Sequence, residues 1–381
     1  MEEKEVGYVS KKSFIFLTAL GFFILSLALE YTKLSVSMGR ELQLMRYVAY
    51  ALCIVKILME AVYRKRETLW YAAILLFAGM ESMVSGNREM FFLLFFLLAA
   101  YGVDLRQAFK VQISIQLACL LAVWALCAVG LIENIEFFSH GVVRYSMGFT
   151  YVGLPGTLFF AIQVSWLYLR NQKVTWVETL VCLIMWIVIY HFTDTRTSAL
   201  LGVIMTVVCY VAKYCTKVMK WKIMKVFCIC YYPFVMICVW ILQYFYNTNH
   251  TSVAMQKLDS GLSGRLELNR LALEQYELKL LGSDITWVSN VENRVRNDYN
   301  YVDSTYFRVL FDFGLVIGIL FLLINVYIMY EMWKKEHLIG CIIMCIFAAM
   351  AFMMPITGLH TNPLLLLAGG IFHAKTKVCQ T

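Results

Sequence analysis

Long apolar runs separated by short polar breaks dominate this chain. They fall near residues 13–29, 44–63, 69–85, 90–103, 111–131, 151–169, 176–193, 197–212, 226–245, 305–330, 338–354 and 361–374. A helix needs about 20 apolar residues to cross a bilayer, within a range of about 17 to 25. The pattern therefore predicts an all-α fold, a polytopic integral membrane helical bundle of about 12 transmembrane helices. The runs at 90–103 and 361–374 are short, so ten or eleven full spans fit it as well. One stretch breaks the rhythm. Residues 246–304 are polar and divide the chain into a first transmembrane block (1–245, about nine helices), a large loop (246–304) and a C-terminal transmembrane block (305–381, about three helices). No internal repeat or low-complexity tract is visible. Inside the loop, Leu266, Leu273 and Leu280 recur every seven residues among Arg265, Glu267, Arg270, Glu274, Glu277 and Lys279. That spacing predicts an amphipathic helix near 263–281 lying along the membrane surface. Ser263 is its expected N-cap and Gly282 its expected stop.

Composition agrees with the pattern. Hydrophobic residues make up 61% of the chain and charged residues only 15%, against about 25% charged in soluble domains. No soluble core of this size could hide so much apolar surface. Charge then sets an orientation. With the N-terminus inside, short inner segments carry 19 basic residues, including Lys4, Lys11, Lys12, Arg64, Lys65, Arg66 and the cluster Lys213, Lys217, Lys220, Lys222 and Lys225; short outer loops carry 6. This is the positive-inside bias. It places both termini in the cytoplasm and 246–304 outside. It also explains the net charge of +8 without a nucleic-acid partner. The 12 cysteines avoid the 246–304 loop, so reduced thiols are expected rather than a disulfide framework. No small-residue cleavage site follows the first apolar run, which is expected to be a retained span.

The outward charges are the candidates for chemistry. Arg265 follows Ser260-Gly261-Leu262-Ser263-Gly264 at the start of the loop helix. A cation there opposes the helix dipole unless an anion joins it, and a guanidinium grips phosphate with two parallel bonds. A solvated Arg is the alternative. Arg196, in Thr193-Asp194-Thr195-Arg196, is held at headgroup level by a tight turn. It serves either a lipid phosphate or simply Asp194. Arg144 precedes the sixth span, as a phosphate ligand or an interfacial anchor. Asp303, at the mouth of the tenth span, is either a general base or a helix cap. His360, in the last outer loop, is a second base candidate or a structural histidine. Lys56 with Glu60, and Arg308 with Asp312, are four apart and expected to pair. Asp312-Phe313-Gly314 has no kinase context. No DxD, P-loop, GxSxG or HExxH occurs, so neither metal nor other cofactor is expected.

Three of these places resemble the O-antigen polymerase and O-antigen ligase-like superfamily (Wzy-type polysaccharide polymerases). Arg144 with Gly148-Phe149 is similar to an Arg–Gly–Phe element before a span. Arg196-Thr197-Ser198-Ala199-Leu200 is similar to an Arg at the outer start of a helix. Ser263-Gly264-Arg265, followed by Asp303, Tyr306 and Gly314, resembles the large outer loop entering the next span. Thr150-Tyr151-Val152 departs from the His–Pro–Asn-like stretch often found after Gly–Phe. The resemblance implies a metal-independent glycosyltransferase in a bacterial cytoplasmic membrane. It would join undecaprenyl-pyrophosphate-linked oligosaccharide repeats into capsular or O-antigen-type polysaccharide at the outer face. Arg144, Arg196 and Arg265 would bind pyrophosphate, Asp303 or His360 would be the base, and Tyr306, Ser263 and Gly264 would support them. A flippase and a chain-length regulator are the implied protein partners. A ligase-type transfer to another acceptor is the close alternative, weakened because His250 is the only loop histidine. A lipid-linked oligosaccharide transporter is the alternative of a different class, and it would be expected to show broken helices.

Overall fold

A computed structural model describes residues 11–61, 65–139, 141–288 and 299–373. Its helices are α1 (Lys11–Glu30), α2 (Ser35–Ala61), α3 (Lys65–Ser85), α4 (Glu89–Ala99), α5 (Leu105–Ala128), α6 (Leu154–Arg170), α7 (Trp176–Thr193), α8 (Arg196–Ala212), α9 (Lys222–Asn249), α10 (Val253–Gly261), α11 (Arg265–Gln275), α12 (Thr305–Lys334) and α13 (Leu338–Met353). The last apolar run forms a 3-10 stretch, Pro363–His373. Among the described residues, six helices are long and apolar enough to cross a bilayer: α1, α2, α5, α7, α9 and α12. The chain is a helical membrane protein. Apolar side chains such as Val177, Leu180, Ile184 and Ile187 on α7 stand exposed, as a lipid-facing helix requires.

The core lies around α13, which buries side chains on almost every turn and packs against α6, α8, α9 and α12. The α1–α2 pair joins it through α5, and α3 and α4 join through α12 and α2. Inside the bundle Lys56 is buried and donates from Nζ to Glu60 Oε1 at 2.9 Å and to the Tyr101 carbonyl at 2.9 Å. The expected i,i+4 pair therefore forms.

Three departures from the sequence pattern shape one end of the bundle. First, the stretch before α6 forms an antiparallel hairpin, β1 (Glu136–Ser139) and β2 (Val142–Tyr145). The strictly all-α expectation missed it because the stretch looked like a plain interhelical loop. Its signal was the β-branched pair Val142-Val143 after Gly141, whose φ is +77°. Second, the loop holds two helices, α10 and α11, and α11 ends at Gln275 rather than near 281. It does not lie free along a surface. Leu266, Asn269 and Ala272 are buried, and Gln243 of α9 donates to the Leu266 carbonyl at 2.9 Å.

Third, α12 is broken at Gly314 (φ +83°, ψ 176°). The extended segment after α11 fills the break. Ser283 N–H donates to the Phe311 carbonyl (3.0 Å), while Leu315 and Val316 N–H donate to the Lys279 and Leu280 carbonyls (3.0 and 3.2 Å). Gly282 (φ +78°) is not a helix stop. It lies against the Asp312 carbonyl, and only a residue without Cβ fits there.

Candidate functional site

The polar end of the bundle is assembled around Arg265, the first residue of α11. Ser263 and Gly264 are both left-handed (φ +59° and +78°), and this turn sets the helix start. Ser263 is not the cap. Asp259 fills that role instead: its Oδ1 accepts from Leu266 N–H at 2.8 Å and Glu267 N–H at 3.4 Å. The anion expected at this helix N-terminus is thus the protein's own carboxylate.

Arg265 is 15% exposed, with Nε 3.4 Å from Asp303 Oδ2. Its guanidinium also donates to the Met353 carbonyl (3.2 Å) and the Leu262 carbonyl (3.0 Å). Asp303 is not a helix cap, because Ser304 holds that position. Burial raises the Asp303 carboxyl above the usual range, and the charges of Arg265 and Arg308 pull it back down.

Arg308 lies one turn into α12. It bonds Asp312 Oδ2 at 2.6 Å and packs over the rings of Trp287 (4.6 Å) and Tyr301 (4.8 Å). Trp287 in turn donates its indole N–H to Asp312 Oδ1 at 2.6 Å. Burial raises the Tyr301 phenol and keeps it protonated.

A cleft of about 420 Å³ forms the other wall, lined by Tyr31, Arg46, Tyr50, Arg88, Glu89 and His360 among others. Gln112 and Gln116 of α5 hold the Leu359 and His360 carbonyls at 3.0 and 2.8 Å. The His360 ring meets the Tyr31 hydroxyl through Nε2 at 3.1 Å. Burial lowers its pKa to about 4, so the ring is neutral near pH 7. Glu89 Oε1 accepts from Thr357 Oγ1 at 3.1 Å. Burial chiefly raises the Tyr31 phenol, with further contributions from Glu89, Glu30 and Tyr301. Tyr31 is therefore within reach of both walls.

The structure joins Arg265 to Asp303 but gives the three predicted arginines separate partners. Arg144 donates from Nε to the Thr193 carbonyl at 2.8 Å, pinning the hairpin to the α7–α8 turn. Arg196, on that same turn, is 68% exposed and pairs with Asp194 at 3.3 Å. Tyr306 is buried and donates to the Ala348 carbonyl at 2.8 Å, which locks α12 to α13. Glu89, Tyr301 and Trp287 were not singled out in the sequence. Arg308 was set aside because its i,i+4 pairing with Asp312 looked sufficient. Glu89 had one available signal: it adjoins Arg88 at the mouth of a short apolar run. Among the described residues no group of three His, Cys, Asp or Glu side chains is disposed to hold a metal ion. The arrangement offers guanidinium groups for an oxyanion, carboxylates for a proton, and tyrosines for hydroxyl-rich ligands.

No protein-family model, no curated protein and no solved structure matches this chain.

Proposed function

We propose that this chain is a metal-independent polysaccharide polymerase. It transfers glycan from an undecaprenyl-pyrophosphate-linked donor to the hydroxyl of another lipid-linked repeat unit. In this reading the chain crosses a bacterial cytoplasmic membrane about twelve times, both termini are cytoplasmic, and the hairpin and α10–α11 face outward. The observation that carries the reading is the meeting of Arg265, Asp303 and Arg308 at the end of the bundle. A departing diphosphate needs preorganised positive charge where water is scarce. Arg265 and Arg308 supply it, with Arg144 and Arg196 as headgroup contacts at the rim. A flippase delivering repeat units and a chain-length regulator would be its protein partners.

A second reading is favoured by the break in α12. Transporters of lipid-linked oligosaccharide use interrupted helices with charges beside the interruption, and Arg308 and Asp312 lie beside Gly314.

One experiment separates them. Detergent-purified protein is given lipid-linked repeat units extracted from cells lacking this chain, and products are resolved by size. A polymerase yields a ladder without any membrane potential or second compartment; a transporter leaves single repeats. A ligase would move glycan to a different acceptor without lengthening it. Arg265→Lys keeps the charge but loses the fork, so the ladder is expected to fall at least tenfold. Arg196→Lys is expected to stay within threefold of the parent. A normal ladder from Arg265→Lys would overturn the clamp.

A further inference from the structure

We propose, building on the polymerase reading, that Glu89 is the general base that takes the proton from the acceptor hydroxyl. Three carboxylates and a histidine were open to this role, and their partners distinguish them. Asp303 faces Arg265 at 3.4 Å and lies in the field of Arg308. Asp312 is held on both oxygens, by Arg308 and by the Trp287 indole, each at 2.6 Å. The Nε2 of His360 is engaged by Tyr31, and its Nδ1 is buried without a partner among the described residues.

Glu89 differs from all of them. Its carboxylate has one hydrogen-bond partner among the described residues, Thr357 Oγ1 on Oε1. The residue lines the 420 Å³ cleft. A carboxylate on a cavity wall with an oxygen left over is what a base needs; a carboxylate saturated by guanidinium groups is a poor one.

Position supports the assignment. Glu89 opens α4, where Asn87 Oδ1 accepts its own N–H at 2.9 Å; burial raises its carboxyl above the usual range, and the Thr357 bond and the charge of Arg308 draw it part of the way back. A Cβ placed on Gly358 would touch Glu89 Oε1 at 2.9 Å and the His360 ring at 2.8 Å. The absence of a side chain there keeps the acid and the imidazole on one wall. The 353–357 stretch links the two walls: the Met353 carbonyl accepts from Arg265, Ile356 N–H donates to Thr305 Oγ1 at the start of α12, and Thr357 bonds Glu89, with Arg308 and Asp312 within electrostatic reach of Glu89.

The step is balanced. The acceptor hydroxyl oxygen bonds to the donor's anomeric carbon as the bond from that carbon to the diphosphate oxygen breaks. The hydroxyl proton passes to Glu89, and the diphosphate leaves on its polyprenyl carrier beside Arg265 and Arg308. The protonated Glu89 then returns its proton to water in the cleft.

The test uses the full chain in detergent with extracted lipid-linked repeat units. Glu89→Gln keeps the size and the Thr357 contact but cannot take a proton. A positioned base is worth roughly 10²–10⁴-fold, so kcat is expected to fall at least 100-fold with KM within threefold of the parent. Glu89→Asp, which withdraws the carboxylate by one methylene, is expected to fall at least tenfold and guards against misfolding of the first variant. If either variant turns over within threefold of the parent, Glu89 is not the base, while the polymerase reading stands on the parent's ladder. If the parent makes no ladder, the polymerase reading fails and the Glu89 assignment fails with it.

Discussion

Gly282→Ala is the sharpest probe of how the polar segment is held. The residue is left-handed at φ +78°, and an added Cβ would lie 2.7 Å from the Asp312 carbonyl carbon and 2.9 Å from that of Phe313. Comfortable carbon contacts are about 3.5–4.0 Å, so the segment must lift by roughly an ångström. An L-residue in this conformation costs about 1–2 kcal/mol. Lifting also strains the three hydrogen bonds from Ser283, Leu315 and Val316, each worth about 0.5–1.5 kcal/mol net. Together the loss is about 3–6 kcal/mol. At about 2–4 °C per kcal/mol, the apparent melting temperature in detergent should drop by about 10 °C. Gly261→Ala is the control, because nothing lies within 4 Å of its added Cβ and its backbone is helical. It is expected to be neutral. Thermal unfolding followed by intrinsic fluorescence, with limited proteolysis of the 276–288 stretch, reads both. A Gly282→Ala protein melting within 2 °C of the parent, with an equally protected segment, would refute the docking argument.

Asp259→Ala removes the carboxylate that caps α11, so stability should fall by about 1–2 kcal/mol, with faster hydrogen exchange at the Leu266 and Glu267 amides as the check. His360 has its pKa lowered to about 4 by burial, against about 6.5 unperturbed. Between those values the unfolded chain binds a proton that the folded chain refuses, so stability falls as pH drops from 6.5 to 4, by at most about 3 kcal/mol. His360→Gln should flatten that part of the profile of melting temperature against pH. Arg308→Lys retains a charge near Asp312 but removes the planar group between Trp287 and Tyr301; under the proposed polymerase reading, polymer yield should fall at least tenfold, measured from the product ladder.

Hydrophobic runs made most of the bundle legible, because lipid-facing and core-facing positions are both apolar and a helix needs no more specific code. The run at 176–193 coincides with α7 and that at 338–354 with α13 to within a residue. The apolar run begins at 44 although α2 begins at Ser35, since its first turns carry Arg40 and Glu41. The pairing of Lys56 with Glu60, and of Arg308 with Asp312, followed from helical spacing alone. What the sequence hid depends on contacts between distant segments. The heptad leucines suggested a helix to 281, yet Leu280 is exposed and its carbonyl is bound by α12, because the break at Gly314 offers stronger backbone partners there. Asp303 and Arg265, 38 positions apart, looked like separate candidates and are neighbours only because α11 folds back on α9. Glu89 meets Thr357 across 268 positions, a proximity that no local pattern encodes.

The interruption of α12 has a consequence for biosynthesis. Backbone groups left unbonded in hydrocarbon cost several kcal/mol each, so α12 is not a finished helix on its own. The residues that complete it, 279–283, are made earlier in translation than α12 itself. They meet their backbone partners only once α12 has been made. Segment and helix therefore complete each other, and a chain halted before residue 315 would lack the amides that bind the Lys279 and Leu280 carbonyls.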